Sequence, residues 1–155
     1  MANFKNIVLT TDFSPNADVA TAYAAELARK FGGSIRLLYV FEDTALVTGL
    51  PGEPVMTMDW VASARTEREA RLAALAGKIA KEQSVTCTPC LREGMGAAEI
   101  LRAAKDLQAD CIVIATHGRT GFSHFLFGSV AERVVRMAEC PVLTVRPKKL
   151  PDAKA

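Results

Sequence analysis

Five short apolar runs, at residues 4–10, 35–41, 85–91, 111–115 and 141–145, alternate with four stretches of helical hydrophobic period. Nothing else in the sequence constrains the fold as strongly, because strand and helix periods bury different sets of side chains. In the first helical stretch Val19, Tyr23, Leu27 and Phe31 recur every four residues, with Ala20, Ala24 and Ala28 beside them as one apolar stripe. Ser14-Pro15 supplies a cap and a proline at the first helical position, and Gly32-Gly33 closes the helix. A long helix is predicted over 57–83, with Val61, Ala64, Arg68, Leu72, Leu75 and Ile79 on one face. The Arg68 stem can cover apolar surface at that margin. A third helix is predicted over 97–107, carrying Ile100, Leu101, Ala104 and Leu107, and a last one over 129–138, carrying Val130, Val134, Val135 and Met137.

The order is therefore β-α-β-α-β-α-β-α-β. The first, second and fourth runs are almost continuously apolar, as strands are when helices cover both faces of a parallel sheet. Right-handed crossovers then give an open, doubly wound, Rossmann-like α/β sheet. The length of 155 residues suits one domain, placed at 1–147, followed by a charged tail at 148–155. Sheets of this kind bind ligands beyond the carboxyl ends of their strands, where the order reverses. That directs attention to residues 10–14, 41–43, 93–97 and 116–129. The irregular stretch 42–54 has two readings, a binding loop or a variable crossover.

Composition removes several classes of function. Half the residues are apolar and 23% are charged, which excludes disorder and a disulfide scaffold. With 19 Lys+Arg against 17 Asp+Glu, the chain carries no footprint for nucleic acid or an anionic membrane. No apolar run approaches the ~20 residues of a membrane helix. Ile7-Val8-Leu9 is too short for a signal-peptide core, so the expected location is the cytoplasm. Of the four cysteines, Cys87 and Cys90 have CxxC spacing but fall inside a strand. Positions i and i+3 of a strand face opposite sides, so the two thiols should diverge. Cys111 and Cys140 are expected to be small core residues.

The chemistry concentrates after the fourth strand, in Ala115-Thr116-His117-Gly118-Arg119-Thr120-Gly121 and on to Gly128-Ser129. Glycines before a helix start allow backbone amides to approach a ligand, and a helix N-terminus favours an anion. Ser129 could add a hydroxyl donor to a phosphate or reach a metal bound to one. The plainer reading makes Ser129 a cap and the glycines turn residues. No Gly-Lys-Ser/Thr follows, and no GxGxxG follows the first strand, which runs into Thr10-Thr11-Asp12.

From Ile7-Val8-Leu9-Thr10-Thr11-Asp12-Phe13-Ser14 to Cys140-Pro141-Val142-Leu143-Thr144-Val145 the sequence resembles the universal stress protein family. Its ATP-binding branch is marked by glycine, two residues, glycine, nine residues, then glycine and Ser or Thr. Here the spacing is Ala115, two residues, Gly118, nine residues, Gly128 and Ser129, so alanine stands at the first glycine. Thr10 also stands where the family usually has proline. The resemblance implies the sheet order 3-2-1-4-5 and a site for ATP with Mg2+, the metal reached through the phosphates and Ser129. It implies Thr11 and Asp12 near the adenine and ribose, and Val40 against the adenine. Gly118, Gly128, Ser129 and Val130 would surround the phosphates, with Ala115, His117 and Arg119 in the same loop. It further implies a homodimer through strand 141–145 and a nucleotide-dependent stress-response regulator read by a protein partner. A nucleotide-free dimeric scaffold and a slow ATPase or phosphotransferase are the alternatives.

Each candidate also has a plainer role. Asp12 can be a turn acceptor before Ser14-Pro15, and Val40 a core residue. His117 and Arg119 can be solvated loop residues. Trp60, Met56 and Met58 are expected to pack rather than to hold a cofactor. No nucleophile–base–acid set stands out, so no catalytic residue is assigned.

Overall fold

The computed structural model describes residues 3–42, 58–116 and 128–146. Its elements are β1 (Asn6–Thr10), α1 (Pro15–Phe31), β2 (Ser34–Phe41), α2 (Met58–Gln83), β3 (Thr86–Glu93), α3 (Gly96–Asp106), β4 (Cys111–Ala115), α4 (Ser129–Met137) and β5 (Val142–Val145). The five strands form one sheet in the order β3-β2-β1-β4-β5, with every neighbouring pair parallel. The expected doubly wound order 3-2-1-4-5 is the order observed.

Each strand feeds two cores because its side chains alternate between the faces. Ile7 and Leu9 of β1 join Ile35, Leu37 and Val113 in the core under α1 and α2. Val8, between them, joins Leu38, Ile112 and Ile114 in the core under α3 and α4. Burial on both faces explains why these strands read as unbroken apolar runs.

α1 starts and stops as its sequence dictates. Ser14 Oγ accepts the Ala17 N–H at 3.2 Å, and Pro15 opens the first turn. At the far end Gly32 adopts φ +60, while a Cβ on Gly33 would stand 2.6 Å from the Phe4 carbonyl oxygen. One glycine supplies the left-handed turn and the other the close approach to β1.

The buried face of α1 differs from the expected stripe. Ala20, Ala24, Ala25 and Ala28 are sealed, whereas Val19 is 38% and Tyr23 51% exposed. Alanines let the helix lie close to the sheet, and the larger residues then fall outside the contact. Phe31 still packs, edge-on against Phe4 with ring centroids 5.0 Å apart. α4 shows a related difference, since Ala131 and Val134 are buried while Val130, Val135 and Met137 are exposed. The face toward the sheet is the one carrying Ala131, Val134 and Ala138, spaced three and four residues apart.

β3 runs two residues past the expected end and carries Pro89 opposite Leu37. Proline is tolerated because β3 is an edge strand with a side free of ladder bonds. Cys87 lies in the core under α1 and α2 and Cys90 packs on the opposite core, so the CxxC thiols do diverge. All four cysteines are free. Burial pushes the Cys87 thiol up to about 11, which keeps it protonated and inert at neutral pH. Among the described residues no helix is long and apolar enough to cross a membrane.

The alanine face of α1 makes a measurable prediction. Ala24→Leu should destabilise the fold by about 1–3 kcal/mol through overpacking, whereas Tyr23→Ala should stay within ~0.5 kcal/mol of the parent. Urea unfolding distinguishes them, and the reverse ranking would contradict the placement of this helix.

Candidate functional site

β1 lies between β2 and β4, so the chain leaves β1 toward α1 on one face and leaves β4 toward α4 on the other. The two exits part and open a cavity of about 470 Å³ at the carboxyl edge of the sheet. That volume suits a small organic ligand, for which pockets span roughly 300–1,000 Å³.

One wall is the turn after β1. Thr11 donates its N–H to the Leu38 carbonyl at 2.9 Å, and its Oγ1 accepts the Phe13 N–H at 3.0 Å. Asp12 Oδ1 accepts both the Ser14 N–H, at 2.9 Å, and the Ser14 hydroxyl. The turn-acceptor role of Asp12 is therefore real, and it fixes the carboxylate beside the cavity that Thr11 and Asp12 both line. Phe13 takes φ +62, a left-handed conformation that costs a non-glycine residue about 1–2 kcal/mol. Two contacts hold it there. Its ring lies 4.6 Å from that of Tyr39, and the Arg71 guanidinium sits 4.4 Å above it.

The opposite wall is the start of α4. Gly128 is its N-cap residue, with no side-chain cap. The Gly128 N–H is donated to the Thr116 carbonyl at 2.7 Å, and a Cβ at 128 would approach that oxygen to 3.2 Å. Glycine at 128 thus serves close backbone approach, and its own amide is already used. Helix geometry leaves the N–H groups of Ser129, Val130 and Ala131 without intrahelical acceptors, at the positive end of the α4 dipole. All three residues line the cavity.

Val40 and Ala115 contribute apolar wall from β2 and β4. Ala115 is not among the non-glycine residues with positive φ, so its methyl carries no backbone strain where a glycine was expected. Of the expected site, Thr11, Asp12, Val40, Ala115, Gly128, Ser129 and Val130 come together around the cavity. His117, Gly118 and Arg119 lie outside the described residues, as do most of the 42–54 stretch, Met56 and the side chain of Met58. Trp60, expected to pack, is 53% exposed.

The sequence reading passed over Glu42 and Gly96. Both line the cavity, and Glu42 Oε1 accepts the Gly96 N–H at 2.7 Å at the start of α3. Their signal was positional, an acidic residue directly after an apolar strand and a glycine at a helix start, inside segments already marked for ligand contact. Among the described wall residues the charged side chains are Asp12 and Glu42, both carboxylates.

The strained turn can be tested directly. Phe13→Ala and Phe13→Gly both remove the ring, but only alanine keeps the left-handed penalty, so Phe13→Gly should be about 1 kcal/mol more stable in urea unfolding. Equal stabilities would contradict the conformation.

Comparison with known proteins agrees with the fold. The model of the universal stress protein family matches residues 3–146. Universal stress protein MJ0531 of Methanocaldococcus jannaschii is 38% identical over 149 residues, which cover 94% of this chain and 85% of the relative. The solved structure of UspA from Lactobacillus plantarum superposes with a TM-score of 0.77 at 24% identity, covering 94% of this chain and 100% of that one. A universal stress protein from Archaeoglobus fulgidus in complex with dAMP gives 0.62 at 22% identity, covering 93% and 98%. Another universal stress protein, in complex with cAMP, gives 0.69 at 19% identity with the same coverage. At these identities the structural likenesses speak to the fold, and the family match and the relative to kinship. The chain belongs to the universal stress protein family.

Proposed function

We propose that the cavity binds an adenine nucleotide, ATP with Mg2+ in the cell, and that the protein acts as a nucleotide-dependent stress-response regulator. The observation that carries this is the pairing, in one cavity, of apolar wall from Val40 with the uncapped first turn of α4. A flat base needs the first and a phosphate the second. Complexes of two structural neighbours with dAMP and cAMP support the choice of base.

In this reading Val40 packs against the adenine, and Thr11 and Asp12 sit beside the adenine and ribose. The N–H groups of Ser129, Val130 and Ala131 receive the phosphates, with Gly128 permitting the approach. His117, Gly118 and Arg119 join the phosphate contacts on sequence grounds. The Ser129 hydroxyl and the Glu42 carboxylate are oxygen donors of the hard kind that Mg2+ takes, so the residues present fit it. When bound, Mg2+ would neutralise phosphate charge.

The wall is suited to holding rather than to turnover. Phosphoryl transfer needs metal-holding carboxylates, a charge clamp and a positioned base. Asp12 is committed to its turn, and the described wall supplies no basic side chain. We place the protein in the cytoplasm, where four free thiols stay reduced.

Calorimetry with ATP and Mg2+ should show binding to the wild-type protein, and heat should release nucleotide from a fresh preparation. Val130→Glu puts a negative charge at the first turn of α4, where it suits the helix dipole but opposes a phosphate. It should weaken ATP about tenfold or more while stability stays within ~0.5 kcal/mol. Binding unaffected by Val130→Glu, or absent from the wild type, would refute the phosphate placement or the nucleotide reading respectively.

Assembly follows from β5. It ends the sheet, and Val142, Leu143 and Thr144 are only half-buried, leaving an apolar edge of the kind that pairs with another strand. We propose a two-fold homodimer through this strand. Sedimentation at micromolar concentration should show a dimer that Thr144→Pro converts to monomer. A monomeric wild type would refute it.

A further inference from the structure

Glu42 stands where an anion-binding cavity would least be expected to carry a carboxylate. A helix N-terminus attracts negative charge, and the first turns of three helices, α1, α3 and α4, line this cavity, that of α1 already capped by Ser14. At α3 one of the first-turn amides is already taken, because Glu42 Oε1 accepts the Gly96 N–H at 2.7 Å. A Cβ placed on Gly96 would lie 2.5 Å from that oxygen and 3.5 Å from Val130 Cγ2, so the Glu42 carboxylate and the first turn of α4 are immediate neighbours. Glu42 is exposed to the cavity rather than sealed in the core, so its charge is presented to a ligand. Asp12 is the other charged side chain on the described wall, and it has the same sign. No described wall residue is basic.

We infer that Glu42 is a specificity-determining residue that makes the cavity read the charge of its ligand's phosphate chain, admitting a monophosphate or a metal-chelated polyphosphate and disfavouring a metal-free polyphosphate. This rests on the nucleotide reading and on the placement of phosphates at α4. The first phosphate meets the α4 amides and is stabilised there. Each further phosphate adds negative charge within reach of Glu42, where like charges a few ångströms apart in a partly desolvated cavity repel strongly. Chelation by a divalent cation removes the repulsion and turns the same carboxylate into a favourable neighbour. Occupation of the α3 N-terminus by Glu42 has a second consequence. It takes the N–H of the α3 first-turn residue on the described wall, so an anion in the cavity meets the amides of α4 rather than that of Gly96.

The test is calorimetric titration of full-length wild-type protein, Glu42→Gln and Glu42→Ala with adenosine, AMP and ATP, each in EDTA and in Mg2+. Glutamine keeps an oxygen to accept the Gly96 N–H, whereas alanine removes charge and cap together. In the wild type, ATP with Mg2+ should bind at least about tenfold tighter than ATP in EDTA, and both variants should shrink that ratio by about tenfold. An unchanged ratio in Glu42→Gln would overturn the inference. So would a uniform shift of all three ligands with the ratio intact, since that marks a helix cap and nothing more. If adenosine and AMP bind yet the ratio is unaltered, the Glu42 assignment alone fails. If no ligand binds the wild type under either condition, the nucleotide reading fails and the inference with it.

Discussion

The reversal of strand order at β1 is the constraint on which the rest depends. Parallel strands need crossovers, and crossovers on opposite faces must leave neighbouring strands in opposite directions. β1 sends its chain to α1 over one core and β4 sends its chain to α4 over the other. No packing arrangement can close the gap between them without removing one layer of helices. The cavity is therefore a product of topology, and the residues around it decorate an opening that exists before any side chain is chosen. It also explains why wall residues come from places as distant in sequence as Thr11, Val40, Gly96 and Ser129.

Rigidity around that opening comes from unequal means. The Thr11–Ser14 turn is held by its own polar side chains and by a left-handed Phe13, whose strain is opposed by Tyr39 and Arg71. On the α4 side the backbone bond from Gly128 to Thr116 ties the helix start to the end of β4. A turn bonded through several side chains keeps its geometry whether or not a ligand is present. A helix start left uncapped has amides still to be satisfied, and a ligand there gains what a cap would otherwise have supplied.

Much of this was legible in the sequence because it rested on local period and chemistry. The burial of Ile7-Val8-Leu9 and Ile112-Val113-Ile114 in a doubly covered sheet, the Ser14 cap and the Gly32-Gly33 stop all follow from residue type at fixed spacing, whereas the strand order came from the family resemblance. The buried face of α1 did not, because Val19-Tyr23-Leu27-Phe31 and Ala20-Ala24-Ala28 are equally periodic. Only the distance between helix and sheet selects the small residues. Phe13 was hidden for a similar reason. Its φ is set by Tyr39 on β2 and Arg71 on α2, neither of which a local pattern contains. Trp60 illustrates the converse, a large apolar residue whose exposure no period could announce.

The sequence also placed the weight of the site on its glycines, and on Ala115 as the departure among them. The geometry moves that weight. Ala115 sits at the end of a regular strand without positive φ, so its methyl is a matter of local space rather than of backbone conformation. Gly128 spends its own amide on Thr116, so what it offers a ligand is proximity to the amides that follow. If the proposed nucleotide is drawn in by helix amides, a cavity whose described charged side chains are carboxylates has an affinity that depends on how much charge the ligand brings. Such a cavity favours a ligand of moderate net charge over the most anionic one. On the proposed reading, the small net charge of the whole chain has a local counterpart, a cavity whose helix amides would receive phosphate while the Glu42 carboxylate limits how much charge it takes.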